Sequence, residues 1–177
     1  MACDLTRSRS LECKDSVGGI KAIYFADFGD ITIAYDATDT DLVEDLGTVT
    51  VFKYDVKGAN SFEQAITSSR ENGTTFFEQT LNITLPKLTK EDHKELKLLT
   101  YGRPHVIIHD YNGNAFLMGA EHGAEVTGGT IVTGTAMGDL SGYTLTLSAS
   151  EQTPANFLEG ATEANPFAGL TGTVTVT

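Results

Sequence analysis

Between Asn60 and Leu85 the chain alternates apolar and polar residues with a period of two. Phe77, Leu81, Ile83 and Leu85 share one parity, and Glu78, Thr80, Asn82 and Thr84 share the other. Upstream, Phe62 and Ile66 share a parity opposed by Ser61, Glu63 and Thr67. That period belongs to a pleated strand with one dry and one wet face. Between the runs lies Arg70-Glu71-Asn72-Gly73, where Asn-Gly supplies the positive φ that a tight turn needs. The pattern predicts a hairpin over 60–85 with arms of about ten residues, hence about 33 Å long at 3.3 Å per residue. Such arms exceed the usual strand length. A hairpin of that reach exposes long edges, which invite pairing with another chain.

Elsewhere the same period recurs in a chain with 25 threonines and only 4 prolines. Thr is β-branched and suits a half-exposed pleated surface. Thr48 and Thr50 alternate with Val49 and Val51; Thr144, Thr146 and Ser148 alternate with Tyr143, Leu145 and Leu147. Thr171 to Thr177 reads as a closing strand, and Pro154 to Glu159 as a single helical turn. Arg103 to Asp110 reads as a strand that Tyr111-Asn112-Gly113-Asn114 turns back into Ala115–Met118. Seven glycines between Gly119 and Gly142 point to bends, bulges or a mobile loop. One helix is marked over 89–99. Thr89 is its N-cap, with Asp92 three residues on, Leu88, His93, Leu96 and Leu99 form a stripe, and Gly102 and Pro104 stop it. The expected fold is mainly β: a β-sandwich or barrel with a long protruding hairpin and one flanking α-helix. No linker or internal repeat divides the chain, so residues 1–177 form one domain with an N-terminal arm over 1–18.

The charge is lopsided. The chain carries 12 Lys+Arg against 24 Asp+Glu, and after Arg103 there is no Lys or Arg. A protein that grips phosphate backbones needs clustered cations, so the last 74 residues offer no such surface. No apolar run spans a membrane, and Met1 to Val17 lacks the core of a secretory signal, which points to folding in the cytoplasm. Cys3 and Cys13 are then expected to be plain thiols, and the Asn82-Ile83-Thr84 sequon carries no glycan.

No arrangement of residues specifies catalysis. Asp36, Asp39, Asp41, Glu44 and Asp45 could attract calcium, but they lack the EF-hand spacing and its glycine, and read as an acidic loop. His105 and His109 share a strand face about 13 Å apart, too far to chelate one ion. His122 pairs only with Glu121, and no serine lies in a nucleophile-elbow context. The expectation is a structural protein without enzyme activity, metal or cofactor.

The order of these elements, a long hairpin (60–85) followed directly by a helix (89–99), a strand (104–110) and further hairpins, resembles the tail tube proteins of tailed bacteriophages. The Thr/Gly-rich stretch from Gly119 to Leu147 also looks like virion structural proteins of phages infecting Bacteroidetes-type hosts. The resemblance covers residues 48–160. It implies a virion subunit, assembled in the host bacterial cytoplasm, that forms stacked hexameric rings. Hairpins of neighbours would then join edge to edge into a closed barrel around the DNA path. Glu63, Thr67, Glu78, Thr80, Asn82 and Thr84 would line the lumen, which conducts genomic DNA without binding it. Phe62, Ile66, Phe77, Leu81 and Ile83 would pack on the subunit's own sandwich and against neighbours. The implied partners are further copies of the chain and other virion proteins. A head-decoration, neck or tail-terminator protein is the alternative, and a carbohydrate-binding β-sandwich is a third reading, which the absence of Trp disfavours.

Overall fold

The computed structural model describes residue 5 and residues 7–177; Cys3 lies outside the described residues. The chain is mainly β: the described residues form 12 strands, one helix and two sheets of 8 and 4 strands. In chain order the strands are β1 (Ile20–Ala26), β2 (Ala34–Tyr35), β3 (Leu42–Asp45), β4 (Val49–Asp55), β5 (Ser61–Ser69) and β6 (Thr74–Pro86). After α1 (Lys90–Tyr101) come β7 (His105–Asp110), β8 (Ala115–Met118), β9 (Glu125–Val132), β10 (Gly142–Glu151), β11 (Asn156–Leu158) and β12 (Val174–Val176).

The larger sheet runs β12-β4-β1-β7-β8-β11-β3-β2, and the smaller runs β5-β6-β10-β9. Two apolar clusters separate the layers. One lies between the sheets and joins Ile23, Phe25, Val106 and Ile108 to Leu81, Ile83, Leu145, Leu147 and the helix residue Leu96. The other lies on the opposite face of the larger sheet and joins Ala22, Tyr24 and Ile107 to Val43, Leu46, Val51 and Leu117. β1 and β7 are therefore buried on both faces, which is why Ile-Lys-Ala-Ile-Tyr-Phe-Ala and His-Val-Ile-Ile-His read as nearly continuous apolar runs. A bulge at Lys21 lets Ile20 and Ile23 serve the same cluster.

The larger sheet curls around the second cluster. The chain following β11 closes it: Thr171 N–H donates to the Glu44 carbonyl (3.2 Å), and Val49 N–H to the Thr173 carbonyl (3.2 Å). The final strand is only Val174–Val176, parallel to β4, shorter than the threonine alternation predicts. The helix keeps its predicted caps, but of its predicted stripe only the leucines are covered, and His93 is exposed. The Thr89 side chain accepts the Asp92 N–H (3.0 Å), Gly102 caps the other end, and Leu88, Leu96 and Leu99 reach the first cluster.

One local expectation is overturned, and a second, of bends, bulges or a loop over 119–142, holds only in part. Pro154 to Glu159 is not a helical turn. Its centre is β11, held between β8 and β3, with the Ala155 N–H bonded to Gln64 Oε1 (2.7 Å). The glycine-rich stretch 119–142 is not only loop, because it contains the eight-residue strand β9. There Gly129 at φ 156° lies where a Cβ would collide with the Thr144 carbonyl, so glycine allows β9 to approach β10.

Candidate functional site

The hairpin occupies the smaller sheet, with arms of 9 and 13 residues. Its register pairs Phe62 with Leu81, Glu63 with Thr80, Ile66 with Phe77 and Thr67 with Phe76. The turn is a four-residue loop rather than a two-residue one. Gly73 N–H returns to the Arg70 carbonyl (3.3 Å), and Gly73 alone takes a positive φ, while Asn72 N–H leans on Ser69 Oγ (3.3 Å).

Register places Glu63, Thr67, Glu78, Thr80, Asn82 and Thr84 on one face, as the alternation predicts. Glu63, Thr67 and Glu78 are exposed, whereas Thr80, Asn82 and Thr84 are half-buried between neighbouring strands. β10 continues this face, with Thr84 opposite Thr144, Asn82 opposite Thr146, Thr80 opposite Ser148 and Glu78 opposite Ser150. β9 adds Thr130 opposite Thr144 and Glu125 opposite Ser148. The result is one surface of hydroxyls, an amide and the carboxylates of Glu63, Glu78 and Glu125. The four strands that build it contain no Lys or Arg.

Hydrogen bonds tie the face together across strands. Asn82 Nδ2 donates to Ser61 Oγ (3.5 Å), and Thr146 Oγ1 donates to Asn82 Oδ1 (2.8 Å). Thr130 Oγ1 and Thr144 Oγ1 share a bond of 2.6 Å. Thr127, the extra residue of a bulge in β9, donates to the Thr146 carbonyl (3.3 Å). Such ladders fix rotamers and leave a stiff polar surface. Phe76, opposite Thr67, is the one large apolar side chain at its far end, 37% exposed. The alternation of Thr144, Thr146 and Ser148 marks a strand in the sequence, but only the register shows that it extends this face.

The opposite face divides in two. Leu81 and Ile83 are buried in the inter-sheet cluster, and Phe62 packs against it, its ring centroid 6.2 Å from that of Phe116. Toward the turn the face leaves the core: Phe77 is half-buried, and its partner Ile66 is 71% exposed. Between these regions lie two glutamines that hydrophobic patterning does not single out. Gln79, 1% exposed, accepts the Gly119 N–H (3.0 Å), and Gln64 accepts the Ala155 N–H (2.7 Å). Both satisfy loop backbone that would otherwise be buried unpaired.

β5 and β9 are the outer strands of this sheet. Monomeric proteins usually blunt such edges with Lys, Pro or bulges. β5 carries none of these, and β9 carries only its bulge and glycines.

The other candidates have structural duties. His105 and His109, 4% and 2% exposed, bond to the Gly119 carbonyl (2.7 Å) and the Thr162 carbonyl (2.9 Å). Burial holds the His109 imidazole below its ordinary pKa, which favours its neutral form. Asp36 Oδ1 accepts the Thr38 and Asp39 N–H groups (2.7 and 2.8 Å), making a closed turn. Those bonds hold its carboxyl below the usual range. Cys13 is a free, exposed thiol.

His122 is corrected: its partner is Glu151, at the end of β10, rather than its neighbour Glu121. Glu151 is 3% exposed. Its Oε1 accepts the Glu121 and His122 N–H groups (3.2 and 2.9 Å), and its Oε2 meets His122 Nδ1 at 2.8 Å. The hydrogen bond to Glu151 and its negative charge raise the pKa of His122. Glu121, His122 and Glu151 have the composition of a cation site. Both Glu151 oxygens, however, already serve as acceptors for the 120s loop.

No helix among the described residues is long and apolar enough to cross a membrane. No family model, curated protein or solved structure matches this chain.

Proposed function

We propose that the chain is a virion structural protein, the subunit of a phage tail tube, assembling into stacked rings that are hexameric as the resemblance implies. One observation carries the reading: a cation-free face of hydroxyls and carboxylates spans the whole smaller sheet, between two outer strands without strong guards. Pairing β5 of one subunit with β9 of the next would continue the sheet around a ring and remove both edges. Glu63, Thr67, Glu78, Thr80, Asn82 and Thr84 would then line the lumen, together with Thr144, Thr146, Ser148 and Ser150 of β10. Carboxylates there repel phosphates, and hydroxyls offer no fixed charge, so DNA would slide without being held. Ile66 and Phe77, which reach past the subunit's own core, would be covered by a neighbour.

Negative-stain microscopy of the purified protein tests this. Rings and tubes with a central channel are the expected result. A monomer at every concentration overturns it, and single rings that never stack favour a neck or terminator position instead.

A further inference from the structure

A groove of about 750 Å³ separates α1 from β4 and the end of β1. Its floor is apolar, from Phe25, Phe28, Phe52, Leu98 and Leu99, of which Leu98 is 56% exposed and Phe52 44%. Its rim is acidic. Both cations there are occupied: Lys53 pairs with Asp55 (2.9 Å), and the Arg103 guanidinium lies 3.9 Å over the Phe28 ring. Asp27, Asp92 and Glu95 face the groove with no ion-pair partner among the described residues. The occupant that fits is an extended segment with apolar side chains and closely spaced cations.

The chain contains such a segment. Leu5, Arg7, Arg9 and Leu11 share one parity, and Leu5 and Leu11 are 98% and 101% exposed. The described residues of this arm form no strand or helix up to its root, where Val17 exchanges two hydrogen bonds with Asn112 (2.9 and 2.6 Å). That root precedes the start of β1, and the groove lies at the end of β1, about 20 Å away along a seven-residue strand. From Val17 to Leu5 an extended arm reaches about 40 Å.

We infer that the arm of one copy docks in the α1–β4 groove of another, with Leu5 and Leu11 on the apolar floor and Arg7 and Arg9 against Asp27, Asp92 and Glu95. Arm and groove are different surfaces of the subunit, so a contact between copies is heterologous and can repeat head to tail. It would supply the lengthwise contact for the stacking proposed above, yet it needs no ring.

The test places the photocrosslinker p-benzoylphenylalanine at Leu11 of the full chain. Concentration-dependent cross-links between chains, mapping to Phe52, Leu98 or Leu99, are expected. Arg7→Glu with Arg9→Glu should lower their yield about fivefold, the effect of two solvent-exposed ion pairs. Adding Asp27→Lys and Glu95→Lys should restore it. Circular dichroism confirms that each variant is folded, and far larger losses are expected for Leu5→Asp. Cross-links within one chain, at another surface, or indifferent to the charge swap overturn the inference. Charge-reversed protein that forms rings but no stacks supports it. Mapped cross-links in a chain that never forms rings leave it standing and remove the ring reading.

Discussion

Glu151 provides a sharp test of how the smaller sheet is fastened to the rest of the molecule. Its carboxylate is almost fully buried and accepts two backbone N–H groups of the 120s loop. Replacing it with Ala removes both acceptors. A hydrogen bond to a charged group contributes about 1.5–3 kcal/mol. The two N–H groups are only partly buried, so water recovers some of that, and the lower end applies. The expected loss is about 3 kcal/mol, which for a chain of this size lowers Tm by about 8 °C. Urea denaturation at pH 6 and at pH 8 measures it directly. His122→Ala keeps both backbone bonds and should cost much less, because the imidazole is in water. It should also remove a pH dependence whose sign is fixed. The folded pKa of His122 lies above its unfolded value, near 6.5, because of Glu151. The stabilisation is therefore fully present below pH 6.5 and is lost as pH rises through the folded pKa. A loss under about 0.5 kcal/mol for Glu151→Ala would refute the reasoning, because the two loop N–H groups would then lose nothing with their acceptor. Equal losses for the two variants would show that the ion pair, not the loop backbone, is what Glu151 holds.

Other perturbations probe the remaining links. Gln79→Leu leaves the buried Gly119 N–H without its acceptor and should cost about 1–3 kcal/mol by urea denaturation; no loss would mean that the loop re-pairs. Gly129→Ala drives a Cβ into the Thr144 carbonyl, so the β9 amides should lose hydrogen-exchange protection while those of β1 and β7 keep theirs. Glu63→Lys with Glu78→Lys places cations on the polar face, and should convert a protein that does not retain duplex DNA at about 0.1 M salt into one that does, with salt-sensitive binding. Retention by the unaltered protein would defeat the repulsive-wall argument.

The sequence was most legible where a single interaction decides conformation. Thr89, Asp92 and Gly102 bound the helix because caps act within four residues. The hairpin's two faces were legible because period two survives wherever one face stays wet. β9 was hidden because one of its two glycines, Gly129, answers to a neighbouring carbonyl in β10, a contact between residues 129 and 144 that no local pattern records. β11 was hidden for a similar reason. Three residues hold strand conformation there because β8 and β3 flank them, although Pro154 and Asn156 favour a turn locally. The pairing of His122 with Glu151 joins residues 29 apart, and proximity in sequence pointed to Glu121 instead.

The unequal burial of the hairpin's apolar face follows from the geometry of the layers. The inter-sheet cluster reaches only as far as the side chains of β1 and β7 do, and it covers Leu81, Ile83 and part of Phe62. Beyond it, Gln64 and Gln79 turn their amides to loop backbone and seal the end of the core. Ile66 and Phe77 lie past that polar seal, on the same face and opposite each other. An apolar pair outside a sealed core adds little to the monomer, because it removes little surface from water there. Its energetic return comes only when a second surface covers it. If it is covered on assembly, Ile66→Asp should leave the monomer's stability within about 0.5 kcal/mol, as at other exposed sites. The same change should remove the ring-sized species from sedimentation velocity, because the hairpin contact between neighbours is lost. A destabilised monomer would mean that the pair belongs to the subunit's own core. Unchanged association would mean that this end of the hairpin faces water in the assembly as well.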